Sequence, residues 1–129
     1  MVDIVVATNG HLGQSILNTA EMILGNTKDI LFIDLSLENF KENFVSNLSK
    51  YKNSILILVD YSSKESDTIL DILKNKENVA VVTGINLFMM LEAIIMRDQM
   101  ELGDLKNHII KLARESIIDL KEKMSEQFD

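Results

Sequence analysis

The residues best suited to chemistry lie in two short loops, each of which follows an apolar run. The first loop, within VATNGHLGQS at residues 6–15, holds Asn9 and His11, and the second begins at Asp60, directly after ILILV. A carboxylate that accepts one ring N–H of a histidine fixes the tautomer and leaves the other nitrogen free as a nucleophile. Backbone N–H groups at the start of a following helix can hold a phosphoryl group. A phosphoryl acceptor is one interpretation of His11 beside Asp60, and a solvated loop histidine is the interpretation that the spacing alone favours.

Other ligand chemistries fit the first loop less well. Gly10 and Gly13 form a G-x-x-G without the third glycine and the downstream acid of a dinucleotide site, and the chain contains no P-loop. A metal site built from His11, Asp60 and Glu65 would have too few ligands. We therefore expect no metal and no organic cofactor.

Four continuous apolar runs alternate with stretches of helical spacing, which is typical of βαβ units around a parallel sheet. The pattern predicts an α/β fold, a doubly wound and mainly parallel sheet of about four strands in the order 2-1-3-4 with helices on both faces. Where the winding reverses, the loops after strands one and three meet, which brings Asn9, His11 and Asp60 into one neighbourhood. The runs are Ile4–Ala7, Ile30–Leu35, Ile55–Val59 and Val79–Val82.

Capping residues indicate where the first three helices begin or end. Apolar residues recur at helical spacing over Ile16–Leu24, and Gly25 follows them as a C-cap would. Ser36 is expected to cap the second helix at its N-terminus. Ser62 and Glu65 have the S-x-x-E spacing of a capping box ahead of the third helix.

The last two helical stretches differ in character. Residues 104–128 place apolar side chains on one stripe and charges on the other, which predicts a single amphipathic helix with His108 as a half-buried packing residue. Residues 86–100 are apolar over most of the helix circumference and need a second surface to cover them. We expect a homodimer to provide that surface, and the alternative is that the segment lies in the subunit's own core. The candidate interface residues are Met89, Met90, Ile94 and Ile95.

The composition limits the possible partners and surroundings. The chain has 129 residues, no cysteine and a formal net charge of -7. This length fits one domain, 1–129, and the lack of cysteine excludes a thiol nucleophile and a disulfide framework. No cluster of basic residues has the density that a nucleic-acid binder needs. No leader segment or bilayer-spanning run is visible, so we expect a cytoplasmic protein without nucleic acid as a partner.

Three phrases, in the same order, resemble one protein family. DIVVATNGHLGQSILNTAEMILG, then LILVD ending at Asp60, then VVTGINLFMMLEA at residues 81–93 are similar to phrases of the IIA component of the mannose-type bacterial sugar phosphotransferase system. The resemblance implies a cytosolic, homodimeric phosphocarrier whose histidine takes a phosphoryl group from the phosphocarrier protein HPr and passes it to a IIB partner. It also implies no metal or organic cofactor, and membrane association only through transporter subunits.

The sequence departs from the family pattern mainly at the candidate site, in the loops that hold residue 9 and Asp60. When ATNGHLG is aligned with the family's A-T-H-G, Asn9 stands where the acceptor histidine belongs, and an amide nitrogen cannot form a phosphoramidate. Phe88 stands in place of a proline. After Asp60, the family's Gly-Gly-Ser-Pro turn is replaced by Ser63, Lys64, Glu65 and Ser66.

Several hypotheses follow from these departures. In the first, the chain is a diverged component that carries no phosphate and binds other components as a regulatory or structural subunit, with Asn9, His11 and Asp60 as its altered site. In the second, His11 is a displaced acceptor oriented by Asp60. A flavodoxin-type anion- or small-ligand-binding module is a third alternative, although only Tyr61 could stack on a ring. A response-regulator-like acceptor would need an acidic pair where Thr8 and Asn9 stand.

Overall fold

The computed structural model describes residues 1–27 and 29–128 of the chain. Four strands alternate with the first four helices, and two further helices follow. None of the described helices is long and apolar enough to cross a membrane. The strands are β1 (Asp3–Thr8), β2 (Leu31–Asp34), β3 (Ile55–Val59) and β4 (Val79–Val82). The helices are α1 (Leu12–Leu24), α2 (Phe40–Leu48), α3 (Lys64–Leu73), α4 (Leu87–Met96), α5 (Leu102–Glu115) and α6 (Leu120–Phe128).

The four strands form one sheet in the order β2-β1-β3-β4, and all three pairings are parallel. Val5 in the central strand β1 lies opposite Leu31 of β2 and Ile57 of β3. The predicted fold class and strand order are confirmed. Because all four strands run the same way, the loops that follow them meet at one edge of the sheet.

Helices cover both faces of the sheet, so each strand alternates between two apolar cores. In β1, Ile4 and Val6 face one core, while Val5 and Ala7 face the other. The first core is completed by α1, α4 and α5, and the second by α2 and α3. This two-sided burial explains why the strands read as continuous apolar runs instead of an alternating pattern.

The first helix is seated directly against the central strand through Gly13. A Cβ atom at this position would lie 2.5 Å from Cγ1 of Val6 and 2.8 Å from Oγ1 of Thr8, so the space admits only a glycine. The Gly13 N–H donates to Thr8 Oγ1 at 2.7 Å. At the other end of α1, Gly25 has a φ of +96° and its N–H donates to Glu21, which confirms the expected glycine C-cap.

Two of the predicted helix starts are wrong. Ser36 does not cap α2, because its N–H and hydroxyl both donate to the Asp34 carboxylate, and the helix begins only after Asn39. The capping box of α3 lies one residue later than predicted, with Ser63 and Ser66 as its reciprocal partners in place of Ser62 and Glu65. A serine hydroxyl can accept and donate, so Ser66 serves as well as the expected glutamate.

The apolar stretch near residue 90 forms helix α4. The Asn86 side chain caps its start by accepting the Met89 N–H at 2.8 Å. Met89 and Met90 lie in the subunit's own core, so the expectation that they form a dimer interface is wrong, and the alternative of burial within the chain is correct. Ile95 is exposed to solvent, and Ile94 is partly buried against the first core.

The C-terminal segment is two helices, not the single helix predicted. Helix α5 ends at Glu115, and α6 starts at Leu120. The Asp119 carboxylate accepts the Glu122 N–H at 2.9 Å, which starts a new helix and competes with continuation of the old one. Along α5, His108 is half-buried as expected, and its Nε2 lies 3.0 Å from the Glu92 carboxylate.

Candidate functional site

The candidate site lies at the carboxyl edge of the sheet, in the loop that connects β1 to α1. This loop is held from both sides by carboxylates of the neighbouring strands. Asp34 is the last residue of β2, and Asp60 directly follows β3. Because β1 lies between β2 and β3, the two carboxylates approach the loop from opposite sides.

Asn9 and Asp60 are joined by two hydrogen bonds that end on the same oxygen. The Asn9 backbone N–H donates to Asp60 Oδ2 at 2.9 Å, and Asn9 Nδ2 donates to it at 3.2 Å. An ionised carboxylate only accepts, so the amide nitrogen and not the amide oxygen must face it. The Tyr61 N–H donates to the other oxygen, Oδ1, at 2.9 Å. The Asp60 carboxylate is thus occupied by three donors from its own surroundings.

His11 does not make the contact with Asp60 that a phosphoryl acceptor there would need. It stands exposed at the N-cap position of α1, and its ring makes no hydrogen bond to any residue in the described part of the chain. The pKa of Asp34 is lowered mainly by the hydrogen bond from the Ser36 side chain, and His11 adds to this lowering. The structure therefore brings Asn9 and Asp60 together, and the His11 ring bonds neither Asp60 nor Asp34.

Asp34 is a site residue that sequence reasoning missed. Its Oδ1 accepts the Gly10 N–H at 2.9 Å, the Ser36 N–H at 2.9 Å and the Ser36 hydroxyl at 2.6 Å. The hydrogen bond from the Ser36 side chain is the largest influence that lowers the pKa of Asp34. A signal for it exists, since Asp34 ends its strand much as Asp60 follows β3, but the predicted run Ile30–Leu35 extends past it.

Three of the loop's backbone donors are already engaged. The N–H groups of Asn9, Gly10 and Gly13 donate to Asp60, Asp34 and Thr8. Gly10 has a φ of +64°, which lets the chain turn sharply between the two carboxylates. The expectation that free N–H groups at the start of α1 could hold a phosphoryl group is therefore not met at Gly13, the one helix residue of the three.

The loop after β4 is tied to the same site through backbone atoms. The Gly84 N–H donates to the Asp60 carbonyl at 2.9 Å, and the Ile85 N–H donates to the Val59 carbonyl at 3.1 Å. Gly84 has a φ of +80°, a conformation that favours glycine. The connections after β3 and β4 are thus held together at the edge where Asp60 lies.

Each of the four loops at this edge also exposes one large apolar side chain. They belong to the β1–α1, β2–α2, β3–α3 and β4–α4 connections, or to the first turn of the helix that follows. Apolar side chains left in solvent around a polar centre are typical of a surface that binds another protein. This docking ring, as we name it, consists of Leu12, Leu37, Tyr61 and Phe88, between 42% and 60% exposed.

A second polar cluster, also missed from the sequence, lies at the opposite edge of the sheet. Arg97, only 6% exposed, donates from Nε to the Val2 carbonyl at 2.9 Å and from Nη1 to Asp29 at 3.1 Å. Its Nη2 makes no hydrogen bond in the described part of the chain but lies 3.0 Å from Asp29 Oδ2 and 4.0 Å from Asp3 Oδ1. A cavity of about 670 Å³ adjoins it, far from Asn9 and Asp60. The cluster joins the start of β1 to the end of α4.

The fold and the loop arrangement define a doubly wound α/β protein with its site where the winding reverses. The sequence model of the family described as "PTS system fructose IIA component", EIIA-man, matches residues 3–110. This chain therefore belongs to that family of IIA components of the bacterial sugar phosphotransferase system, as the three sequence phrases predicted.

Individual relatives of this chain are also named as EIIA or EIIAB components of phosphotransferase systems. The mannose-specific EIIAB component of Escherichia coli K12 is 28% identical over 134 residues, which cover 98% of this chain and 42% of the relative. The present chain thus spans less than half of that relative's length. The sorbose-specific EIIA component of Lacticaseibacillus casei is 26% identical over 130 residues, with 96% of this chain and 94% of the relative covered.

Solved structures show the same fold. The phosphotransferase system component EIIA from Streptococcus agalactiae superposes with a TM-score of 0.80 at 22% identity, covering 95% of this chain and 99% of the other. The IIA protein associated with the fucose utilization operon from Streptococcus pneumoniae gives a TM-score of 0.78 at 24% identity, covering 95% and 96%. The backbone is thus retained although most side chains differ.

Proposed function

We propose that this chain is a IIA-type component that docks onto proteins of the sugar phosphotransferase system without carrying a phosphoryl group on residue 9. The observation that carries the proposal is the hydrogen bond from Asn9 Nδ2 to the Asp60 carboxylate at 3.2 Å. By the resemblance, an imidazole belongs at this position. The amide takes its place as a donor to the carboxylate, but it has no basic lone pair with which to attack phosphorus.

The electrostatics of the loop also oppose a bound phosphoryl group. Asp34 and Asp60 flank the loop on either side, and Glu65 is exposed at the start of α3. A dianionic group near three carboxylates meets like-charge repulsion. Three N–H groups that could offset this repulsion are already donated to Asp34, Asp60 and Thr8.

The docking ring supports a retained role in protein binding. Its four apolar side chains surround the edge that holds Asn9 and Asp60, and the chain as a whole carries a net charge of -7. A partner with an apolar patch and a basic rim would match this surface in shape and charge. The resemblance implies HPr and IIB-type proteins as such partners. One relative is named as a mannose-specific EIIAB component, a name that joins the IIA and IIB designations.

The remaining properties follow from the same proposal. The chain acts as one domain over residues 1–129, in the cytoplasm, with no cofactor and with at most indirect membrane association through transporter subunits. A homodimer remains part of the proposal. Ile94 and Ile95, which are only partly buried or exposed, are the candidates left for its interface.

His11 as a displaced acceptor is a second candidate, and one observation favours it. The ring is exposed, and its charge helps to lower the pKa of Asp34. Asp34 in place of Asp60 would then be the carboxylate that orients the imidazole. This candidate differs from the main proposal in one measurable respect, since it requires a phosphoryl group on His11.

The test is intact-mass spectrometry after incubation with phosphoenolpyruvate, the general phosphotransferase of the system and HPr. We expect no adduct on the wild type or on His11→Ala, and an acid-labile phosphoryl adduct on Asn9→His, because that change restores a nucleophile beside Asp60. The Asn9→His/His11→Ala double variant should keep the adduct. An adduct on the wild type that disappears in His11→Ala would overturn the main proposal and identify His11 as the acceptor.

A further inference from the structure

The loop that forms the candidate site contains Asn9 followed directly by Gly10, the one Asn-Gly pair in the sequence. Such a pair undergoes deamidation by a known route. The Gly10 nitrogen, after losing its proton to solvent, forms a bond to Cγ of Asn9. The bond from Cγ to Nδ2 then breaks and ammonia leaves. Water opens the resulting succinimide ring to give aspartate or isoaspartate at position 9.

The two atoms that must meet in this reaction are held on opposite sides of the loop. The Gly10 N–H donates to Asp34 Oδ1 at 2.9 Å, on the side of β2. The Asn9 amide donates through Nδ2 to Asp60 Oδ2 at 3.2 Å, on the side of β3. Strand β1 lies between β2 and β3, so the Gly10 N–H and the Asn9 amide bond carboxylates on opposite sides of the loop, which opposes their approach to each other.

The carboxylate also makes the nucleophile harder to form. Attack requires the Gly10 nitrogen to give up its proton, and a neighbouring negative charge that accepts this N–H favours the protonated form. The same negative charge repels hydroxide and other anionic bases that would remove the proton. Asp34 therefore opposes the reaction through geometry and through charge.

We propose that Asp34 protects Asn9 from deamidation by holding the Gly10 N–H. The protection has a clear purpose in this site. A carboxylate created at position 9 would face the Asp60 carboxylate with an acceptor where Nδ2 now donates, and an isoaspartate would add a backbone atom to the turn. This inference stands whether or not the chain transfers phosphoryl groups.

The experiment follows deamidation of the full chain in mildly alkaline buffer, by the mass gain of the N-terminal peptide and by enzymatic labelling of isoaspartate. Asp34→Ala removes the acceptor, and Asp34→Asn keeps one oxygen that can accept the Gly10 N–H. A hydrogen bond to a charged group is strong enough that we expect roughly tenfold faster deamidation in Asp34→Ala. Asp34→Asn should lie closer to the wild type. The same variants carrying Asn9→Gln report deamidation at all other asparagines and are subtracted.

Thermal unfolding of each variant shows whether faster deamidation reflects a lost contact or a lost fold. If Asp34→Ala is not folded, the wild type is compared in buffer and in denaturant, and the exchange rate of the Gly10 amide is measured in buffer. Slow deamidation together with a protected Gly10 amide supports the proposal. A folded Asp34→Ala chain that deamidates at the wild-type rate, or a native wild type that deamidates as fast as the denatured chain, would overturn it.

Discussion

Asn9 and Asp60 are bonded through one carboxylate oxygen, Oδ2, which accepts both the backbone N–H and the side-chain Nδ2 of Asn9. The pair joins the ends of the two central strands, β1 and β3. The group that faces the Asp60 carboxylate is therefore an amide, which under the proposed function takes the place of an imidazole. The contact fixes the Asn9 side chain and backbone against the end of β3.

Asp60→Ala should destabilise the fold, because it leaves the N–H groups of Asn9 and Tyr61 without their acceptor. We expect a loss of about 1–3 kcal/mol in the free energy of unfolding, measured by denaturant titration. Asp60→Asn should lose less, since one carboxamide oxygen can still accept the bonds from Asn9. Equal stability of Asp60→Ala and the wild type would show that these bonds contribute nothing net.

Gly13→Ala should also destabilise, because the new methyl group would overlap Val6 and Thr8 on the buried strand. The expected cost is about 1–3 kcal/mol, only partly offset by the better helix propensity of alanine. Gly103→Ala is the matched control, since Gly103 lies in α5 with nothing within 4 Å of its added Cβ. That control should raise the melting temperature, and the prediction fails if both variants shift it in the same direction.

Arg97→Met should be among the most damaging single changes in the chain. It removes the guanidinium that lies near the buried Asp3 carboxylate and bonds Val2 and Asp29. Loss of one partner of a buried ion pair costs about 3–5 kcal/mol. Lys74→Met breaks the exposed pair with Asp71 and should cost about 1 kcal/mol or less. Comparable losses in the two variants, measured by chemical denaturation, would contradict this difference.

The stability contributed by Asp34 should depend on pH in a defined direction. Its pKa is lowered from the usual 3.8, chiefly by the Ser36 hydroxyl, so the folded chain releases this proton more readily than the unfolded chain. The contribution is then fully present above the unfolded pKa and is lost as pH falls through the folded pKa. The difference in unfolding free energy between the wild type and Asp34→Ala should therefore shrink below pH 3.8. A difference that stays constant through this range would rule out the carboxylate charge as its source.

Binding of HPr should depend on the docking ring. Tyr61→Ala is expected to weaken binding about fivefold or more, because aromatic side chains contribute strongly to protein interfaces. Val45→Ala is a matched control, since Val45 is similarly exposed but lies on α2, outside the ring. Both would be measured by calorimetric titration of unphosphorylated HPr. Equal affinities of the two variants would place the interface elsewhere.

The fold was predictable because burial on both faces leaves a simple record in the sequence. Each strand is a continuous apolar run, and Gly25 marks a helix end by a purely local rule. The start of α3 was harder to predict because two serines stand in succession, and the choice between Ser62 and Ser63 depends on which hydroxyl reaches a backbone N–H. The spacing of residues along the sequence cannot decide between two capping boxes that differ by one residue.

The location of the site was predictable from the sequence, but its hydrogen bonds were not. Parallel topology brings Asn9 and Asp60 to one edge, yet the side on which His11 lies depends on the turn at Gly10. Arg97 left no local signal, because its partners Val2 and Asp29 lie 95 and 68 residues away in the chain. Long-range polar contacts of this kind become visible only once the elements are placed.

The long sequence distance between Arg97 and Val2 also affects the order in which parts of the protein fold. The central strand β1 is synthesised before the other described elements, but the group that bonds Val2 and lies near Asp3 belongs to residue 97. On the ribosome, the start of β1 therefore waits for most of the chain to emerge before its polar groups are paired. Contacts between distant residues are slow to form. We expect the fold to close last at the edge opposite the candidate site, so a nascent chain that ends before Arg97 should be cleaved faster by protease than one that includes it.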